Sequence, residues 1–144
     1  MASFRVEGLD ELMLSFEQLS LLPDEVPMSM LDAGAAVLEE AQKEKARTML
    51  NGPYSIGRVI SGLKRKKPKK TNDGYIQRIT FEGTVTDQYH KKPTRIAEIA
   101  FINEFGKTNQ PARPFIQTAN EEKADEATTA EYQVYDKYLK SINL

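Results

Sequence analysis

Apolar residues recur at helical spacing in three segments of the chain, and each segment predicts an amphipathic helix. The first covers residues 9 to 20, and Pro23 stops it. The second begins after Asp24 and Glu25, with Pro27 at an early position, and runs to about Leu50, before Asn51-Gly52, a typical helix terminator. The third runs from about Pro114 to Ser141. Its predicted inner positions are Phe115, Ala119, Ala127, Ala130, Val134, Tyr138 and Ile142.

Alternating apolar and polar residues predict strands elsewhere. Phe4 and Val6 fit a short first strand, and residues 75–85 fit a clear one with Gly83 on its buried face. Residues 95–103 carry apolar side chains on both faces, so they predict a central strand antiparallel to its predecessor. Residues 59–63 fit a short helix or the start of a strand. The predicted fold class is α+β: a small antiparallel sheet packed against two or three helices, with a long C-terminal helix.

The stretch after the predicted central strand has unusual backbone chemistry. Gly106 permits the positive φ that a sharp exit requires. Pro111 and Pro114 predict a stiff, extended loop, and Pro114 suits the first position of the last helix. Glu104 is expected to tie down the turn, while Arg113 faces solvent or a neighbour. The alternative is that these two side chains pair across the loop or that Glu104 belongs to a carboxylate site.

The same stretch carries a family resemblance. The run Ile102-Asn103-Glu104-Phe105-Gly106, then residues 110–115 (QPARPF), then Ala119 in a helix, resembles the gene-product-ten-like tail-component family. Residues 55–63 (SIGRVISGL) resemble, less closely, a second segment of that family. These are small tail-completion or head–tail joining proteins of long-tailed double-stranded DNA phages and prophages. The resemblance implies a non-enzymatic virion protein that forms a ring around the DNA channel.

Size and composition favour one domain covering residues 1–144 and exclude several classes of site. The chain has 144 residues, no cysteine and one histidine, His90. Disulfides, thiolate metal sites, a cysteine nucleophile and multi-histidine metal sites are therefore excluded. No signal peptide or membrane-length apolar run is present, so we expect a soluble protein without membrane partners.

Charge is uneven along the chain although the net charge is −1. Every ionisable residue between positions 58 and 70 is basic: Arg58, Lys64, Arg65, Lys66, Lys67, Lys69 and Lys70. Residues 58–74 are predicted to form a basic, exposed region, in which 64–74 is a mobile loop with a turn at Asp73-Gly74. The last helix begins with an acidic group: Glu121, Glu122, Asp125 and Glu126. The basic segment is a solvated loop, a surface that docks on the acidic segment of a neighbouring subunit, or a non-specific DNA contact.

Catalytic motifs are missing from the sequence. Gly52 and Gly57 have the spacing of phosphate-loop glycines, but Arg58-Val59 replaces the required lysine and hydroxyl residue. His90 lies in a polar stretch and is expected to be solvated. We therefore predict neither an enzyme nor a cofactor.

Two functions remain as hypotheses from the sequence. In the first, the protein completes the tail or joins it to the head, as a homo-oligomeric ring such as a hexamer, in contact with phage neck and tail proteins. It would then be present in the virion, and in the host cytoplasm during assembly. In the second, it is an accessory protein that binds nucleic acid non-specifically through the basic segment.

Overall fold

The computed structural model of the chain describes residues 22–50, 57–86 and 91–142, and the backbone of 3–5 and 13–15. Its helices are α1 (Glu25–Met49), α2 (Arg58–Gly62), α3 (Ile96–Phe105) and α4 (Phe115–Ser141). Its strands are β1 (Ser3–Arg5), β2 (Met13–Ser15), β3 (Leu63–Arg65), β4 (Lys69–Thr71), β5 (Gly74–Ile76), β6 (Ile79–Phe81), β7 (Thr84–Val85) and β8 (Thr94–Arg95). Long helices combined with short antiparallel strands confirm the predicted α+β class.

The strands of the described residues pair in antiparallel twos: β1 with β2, β3 with β6, β4 with β5, and β7 with β8. Leu63 lies opposite Phe81 in the second pair, and Thr71 lies opposite Gly74 in the third. A hairpin turn is therefore present where one was predicted, but its two residues are Asn72 and Asp73, and Gly74 begins β5. The continuous strand predicted for residues 75–85 is wrong, because β5, β6 and β7 pair with three different partners.

The predicted central strand over residues 95–103 is also wrong, because this segment forms helix α3. Ile96, Ala100 and Glu104 are its buried residues, and their spacing of four places them on one helical face. That face lies close to α2, since a Cβ added at Gly62 would meet the Ile96 side chain at 2.6 Å. The apolar run thus follows a helical period even though it also fits an alternating one.

Several smaller expectations fail. Met13–Ser15 is a strand, although a helix was predicted over residues 9–20. Gly83 is exposed, with a φ of 101°, and is not on a buried face. Ile142 is 45% exposed and is not an inner residue of α4. The remainder of segment 9–20, together with Gly52 and His90, lies outside the described residues.

The chain divides into two compact units. One comprises residues 38–66 and 79–122. Its core joins the C-terminal part of α1, α2, α3 and the start of α4 through Ala46, Leu50, Val59, Ala100 and Phe115. Phe115 has no exposed surface, and Phe81 lies edge-on to its ring, with 6.1 Å between ring centroids.

The other unit comprises residues 1–37, 67–78 and 123–144. Val26 and Met30 at the start of α1 pack against Val134, Tyr135 and Tyr138 near the end of α4. The β4–β5 hairpin belongs to the same unit. Within the described ranges no helix is long and apolar enough to cross a membrane. The prediction of one domain for the whole chain stays a prediction.

A close helix contact in this second unit places a carboxylate against a glycine. A methyl group at Gly34 of α1 would collide with the carboxylate of Glu131 of α4. Burial raises the pKa of Glu131 from its ordinary 4.5 to about 7. The folded protein therefore binds more protons than the unfolded chain between these two pH values, and its stability falls as the pH rises through that window.

We predict that Glu131→Gln stabilises the protein at pH 8 and has little effect at pH 4. Glutamine keeps the shape but carries no charge to desolvate. The side chain is still partly solvated, so the expected gain at pH 8 is only about 1–2 kcal/mol. Urea unfolding at both pH values measures it, with Glu40→Gln on the exposed side of α1 as the control. An equal gain at pH 4 and pH 8 would contradict the prediction.

Candidate functional site

The candidate site is the motif loop, residues 102–119, which connects the end of α3 to the start of α4. Gly106 ends α3 with φ 78° and ψ 177°, and its N–H donates to the Ile102 carbonyl at 2.7 Å. The predicted positive φ is confirmed, although the glycine ends a helix and not a strand. Lys107 and Gln110 then exchange two backbone hydrogen bonds, of 2.9 and 3.0 Å. The chain reverses within four residues.

Asn103 holds the returning chain against α3. Its carbonyl accepts the N–H of Arg113 at 2.6 Å, and its side-chain oxygen accepts from the Gln110 amide at 3.1 Å. Its own amide nitrogen donates to the Ile99 carbonyl at 2.9 Å. The first of these bonds gives a partner to the Arg113 N–H, which lies outside the helices and strands.

Glu104 joins the two helices. Its side chain is buried, and its two carboxylate oxygens accept the N–H groups of Ile116 and Gln117, at 2.8 and 3.1 Å. These N–H groups belong to the first turn of α4, where no intrahelical acceptor exists. A negative charge is also favourable at a helix N-terminus. Glu104 therefore caps α4 from the last turn of α3, and it contacts the helix start and not the turn after Gly106.

We predict that Glu104→Ala lowers the free energy of unfolding by about 2–3 kcal/mol, because two buried donors lose a charged acceptor. Glu104→Gln keeps one acceptor oxygen and is expected to cost about half as much. Urea unfolding measures both. Glu98→Ala is the matched control, since Glu98 is exposed on the same helix. A cost for Glu104→Ala no greater than that of Glu98→Ala would contradict the capping role.

The structure separates the other motif residues by exposure. Phe115 is fully buried, Arg113 and Pro114 are half-buried, and Pro111 and Phe105 are exposed. Pro114 directly precedes α4, one position before the predicted one, and its carbonyl accepts the Thr118 N–H at 3.0 Å. Glu98 and Glu104 lie on opposite faces of α3, so they do not form a paired carboxylate site.

The basic segment, residues 58–70, is a helix and two strands and not a single loop. Arg58 lies in α2, Lys64 and Arg65 in β3, and Lys69 and Lys70 in β4. Its lysine and arginine side chains are exposed, as predicted. Ion pairs neutralise some of them: Arg65 with Glu39 at 3.2 Å, Lys66 with Glu82, and Lys70 with Asp24 at 3.3 Å. Lys64, Lys67 and Lys69 have no ion pair among the described residues.

The β4–β5 hairpin is attached to the start of α1. The Tyr75 hydroxyl donates to Asp24 at 2.7 Å, beside the Lys70 ammonium. The hydrogen bond from Tyr75 and the contact with Lys70 lower the pKa of Asp24. The two strands of the hairpin are thus anchored at Lys70 and Tyr75, while Lys69 at the start of β4 and Lys67 just before it are exposed.

The acidic segment of α4, residues 121–126, is exposed at Glu121, Glu122, Asp125 and Glu126. Glu122 pairs with Lys45 at 2.8 Å, and Glu126 pairs with Lys123 at 3.0 Å. Glu121 accepts a hydrogen bond from Gln117 at 3.0 Å. Asp125 lacks an ion pair within the part of the chain that the structure describes. Internal contacts thus already engage most of this segment.

One feature escaped the sequence prediction: an aromatic pair on the outer face of α3. Phe101 is 62% exposed and Phe105 is 68% exposed, and their ring centroids lie 4.8 Å apart. A helical wheel over residues 96–105 would have found it. It places both rings opposite Ile96, Ala100 and Glu104, whereas the alternating pattern put Phe101 on a strand face.

No group of three or more histidine, cysteine, aspartate or glutamate residues lies close enough to hold a metal ion in the described ranges. Comparison of the chain with protein-family models, curated proteins and solved structures found no match.

Proposed function

We propose that this protein is a non-enzymatic component of a phage or prophage virion, which completes the tail or joins it to the head as a ring around the DNA channel. The sequence resemblance at residues 102–119 is the origin of this proposal. The observation that supports it best is the construction of the motif loop. Glu104 joins α3 to the start of α4, Asn103 holds the connecting loop against α3, and the outer face of α3 stays exposed.

An exposed surface on a helix that is tied to the next helix suits an assembly protein. Glu104 caps α4, and the hydrogen bonds of Asn103 hold the loop against α3, so the loop is ordered in the free protein. Little conformational entropy is then lost when a partner binds. Exposed charged side chains of both signs remain for contacts with neighbours: Lys64, Lys67, Lys69, Glu98 and Asp125. Neck and tail proteins and the genomic DNA are the proposed partners.

Electron microscopy of lysates from the parent phage or prophage carrying an early stop in this gene tests the proposal. We expect DNA-filled heads beside separate tails, and a plasmid copy of the intact gene should restore joined virions. Complemented particles should show a ring at the joint. Normal virions in the absence of the protein would overturn the joining role, and isolated copies at the joint would overturn the ring.

The second candidate function is non-specific nucleic-acid binding, which Lys64, Lys67 and Lys69 favour, since these exposed lysines form no ion pair with the described part of the chain. Three phosphate contacts give a slope of about −3 for log K against log salt. A filter-binding titration across salt would show this slope, and Lys64→Gln, Lys67→Gln and Lys69→Gln together should abolish it. Lys66→Gln and Lys70→Gln are the matched controls, because ion pairs already engage both residues. Binding that is absent at physiological salt would exclude this function.

A further inference from the structure

The exposed face of α3 carries three residues that line up along the helix: Glu98, Phe101 and Phe105, here called the aromatic stripe. Their spacing of three and four residues places them on one side of the helix. The opposite side, formed by Ile96, Ala100 and Glu104, is buried. The stripe is therefore held in place by the burial of the other face and by the capping contact of Glu104.

Phe101 and Phe105 are exposed and in contact with each other, so they form a continuous apolar patch. More than half of each side chain is open to solvent, and the rings lie in contact at 4.8 Å between centroids. Contiguous aromatic surface beside polar residues is typical of protein interaction sites, and aromatic residues there contribute a large share of the binding energy. The stripe thus has the composition of a docking surface.

The charge next to the rings indicates the chemistry of the partner. Glu98 is exposed and has no ion pair with any residue that the structure describes. A carboxylate one helical turn from Phe101 and two turns from Phe105 suits a lysine, whose aliphatic stem packs on a ring while its ammonium contacts the carboxylate or the ring face. An acidic or purely apolar partner would leave Glu98 without a counter-charge.

The chain itself presents such lysines at the start of strand β4 and just before it. Lys67 and Lys69 are exposed on either side of Pro68, and neither is paired in the described part of the chain. The neighbouring Lys70 and Tyr75 anchor the hairpin to Asp24. The acidic segment of α4 is a weaker partner for these lysines, because Glu122 and Glu126 already have lysine partners.

We propose that the aromatic stripe of one copy binds Lys67 and Lys69 of a second copy. This contact joins two different surfaces, so it is heterologous and generates a ring when the rotation between copies closes. The proposal rests on the proposed function, to which it adds the contact that builds the ring.

Charge exchange in the purified full-length chain tests the contact by sedimentation velocity. Glu98→Lys alone, and Lys67→Glu with Lys69→Glu, should each weaken self-association at least tenfold. A one-to-one mixture of these two variants should recover it to within about threefold, because each interface again pairs opposite charges. Phe101→Ser with Phe105→Ser should also weaken self-association at least tenfold. Asp125→Lys is the matched control and should leave it unchanged.

Four results would overturn the contact. Wild-type chain that stays monomeric at high concentration would do so, as would exchange variants that associate like wild type. If self-association were lost in the stripe variants but not in the lysine variants, a different group would occupy the stripe. If self-association were lost in Asp125→Lys but not in Glu98→Lys, the lysines would bind the acidic segment of the second copy instead.

Complementation separates failure of the contact from failure of the proposed function. Each exchange variant, supplied from a plasmid to the phage with the early stop, should leave heads and tails separate, whereas co-expression of both variants should join them. Joined virions with either variant alone would refute the contact and leave the joining function in place. Normal virions without any copy of the gene would refute the function, whatever the association measurements show.

Discussion

Replacing Phe115 by alanine is expected to lower the free energy of unfolding by about 3–5 kcal/mol. Phe115 has no exposed surface and lies among Ala46, Leu50, Val59 and Ala100. Three segments contribute these residues and pack around the ring, so alanine leaves a cavity. The loss of the edge-on contact with Phe81 adds to the cost. Urea unfolding followed by circular dichroism measures the change.

The same substitution at Phe101 provides a matched control. Phe101 is also an α-helical phenylalanine of this unit, but it is 62% exposed. Phe101→Ala is expected to change the free energy of unfolding by less than about 0.5 kcal/mol. Comparable costs at the two positions would show that Phe115 is not the centre of this core.

Replacing Gly106 by alanine is expected to lower the free energy of unfolding by about 3 kcal/mol, for two reasons. The φ of 78° with ψ of 177° is a conformation that residues with a Cβ rarely adopt, and the strain is on the order of 1–3 kcal/mol. The added Cβ would also lie 2.8 Å from the Ala112 nitrogen and 2.9 Å from the Gln110 oxygen. Both are backbone atoms, so the motif loop must move to make room.

Gly57→Ala is the control for a positive φ without a close approach. Gly57 also has a positive φ, of 73°, but an added Cβ would meet nothing within 4 Å. Its ψ of 14° lies in the left-handed helical region, where alanine costs about 1 kcal/mol. The free energies of unfolding of the two variants, measured by thermal and urea unfolding, should therefore differ by about 2 kcal/mol. Equal losses would show that the close approach of the returning chain contributes nothing.

Local chemistry was enough to predict much of this protein. The periods of α1 and α4 extend over many turns, so their existence and approximate ends follow from the sequence. The positive φ of Gly106 and the presence of a turn between β4 and β5 follow from backbone preferences that operate within a few residues, although the turn lies one residue earlier than predicted, at Asn72-Asp73. The exposure of the basic segment follows from the cost of burying unpaired charge.

Helix α3 and the candidate site depended on tertiary structure. Residues 96–105 are apolar at so many positions that a period of two and a period of 3.6 both fit, and only packing against α2 and Phe115 decides between them. Because the choice of helix sets which side chains share a face, it also buries Glu104 and exposes Phe101 and Phe105. The capping of α4 by a glutamate twelve residues away is a long-range contact that no local pattern contains. The sequence by itself therefore determined the long helices and the glycine turns, whereas the arrangement of the site was decided by which distant groups met in the folded chain.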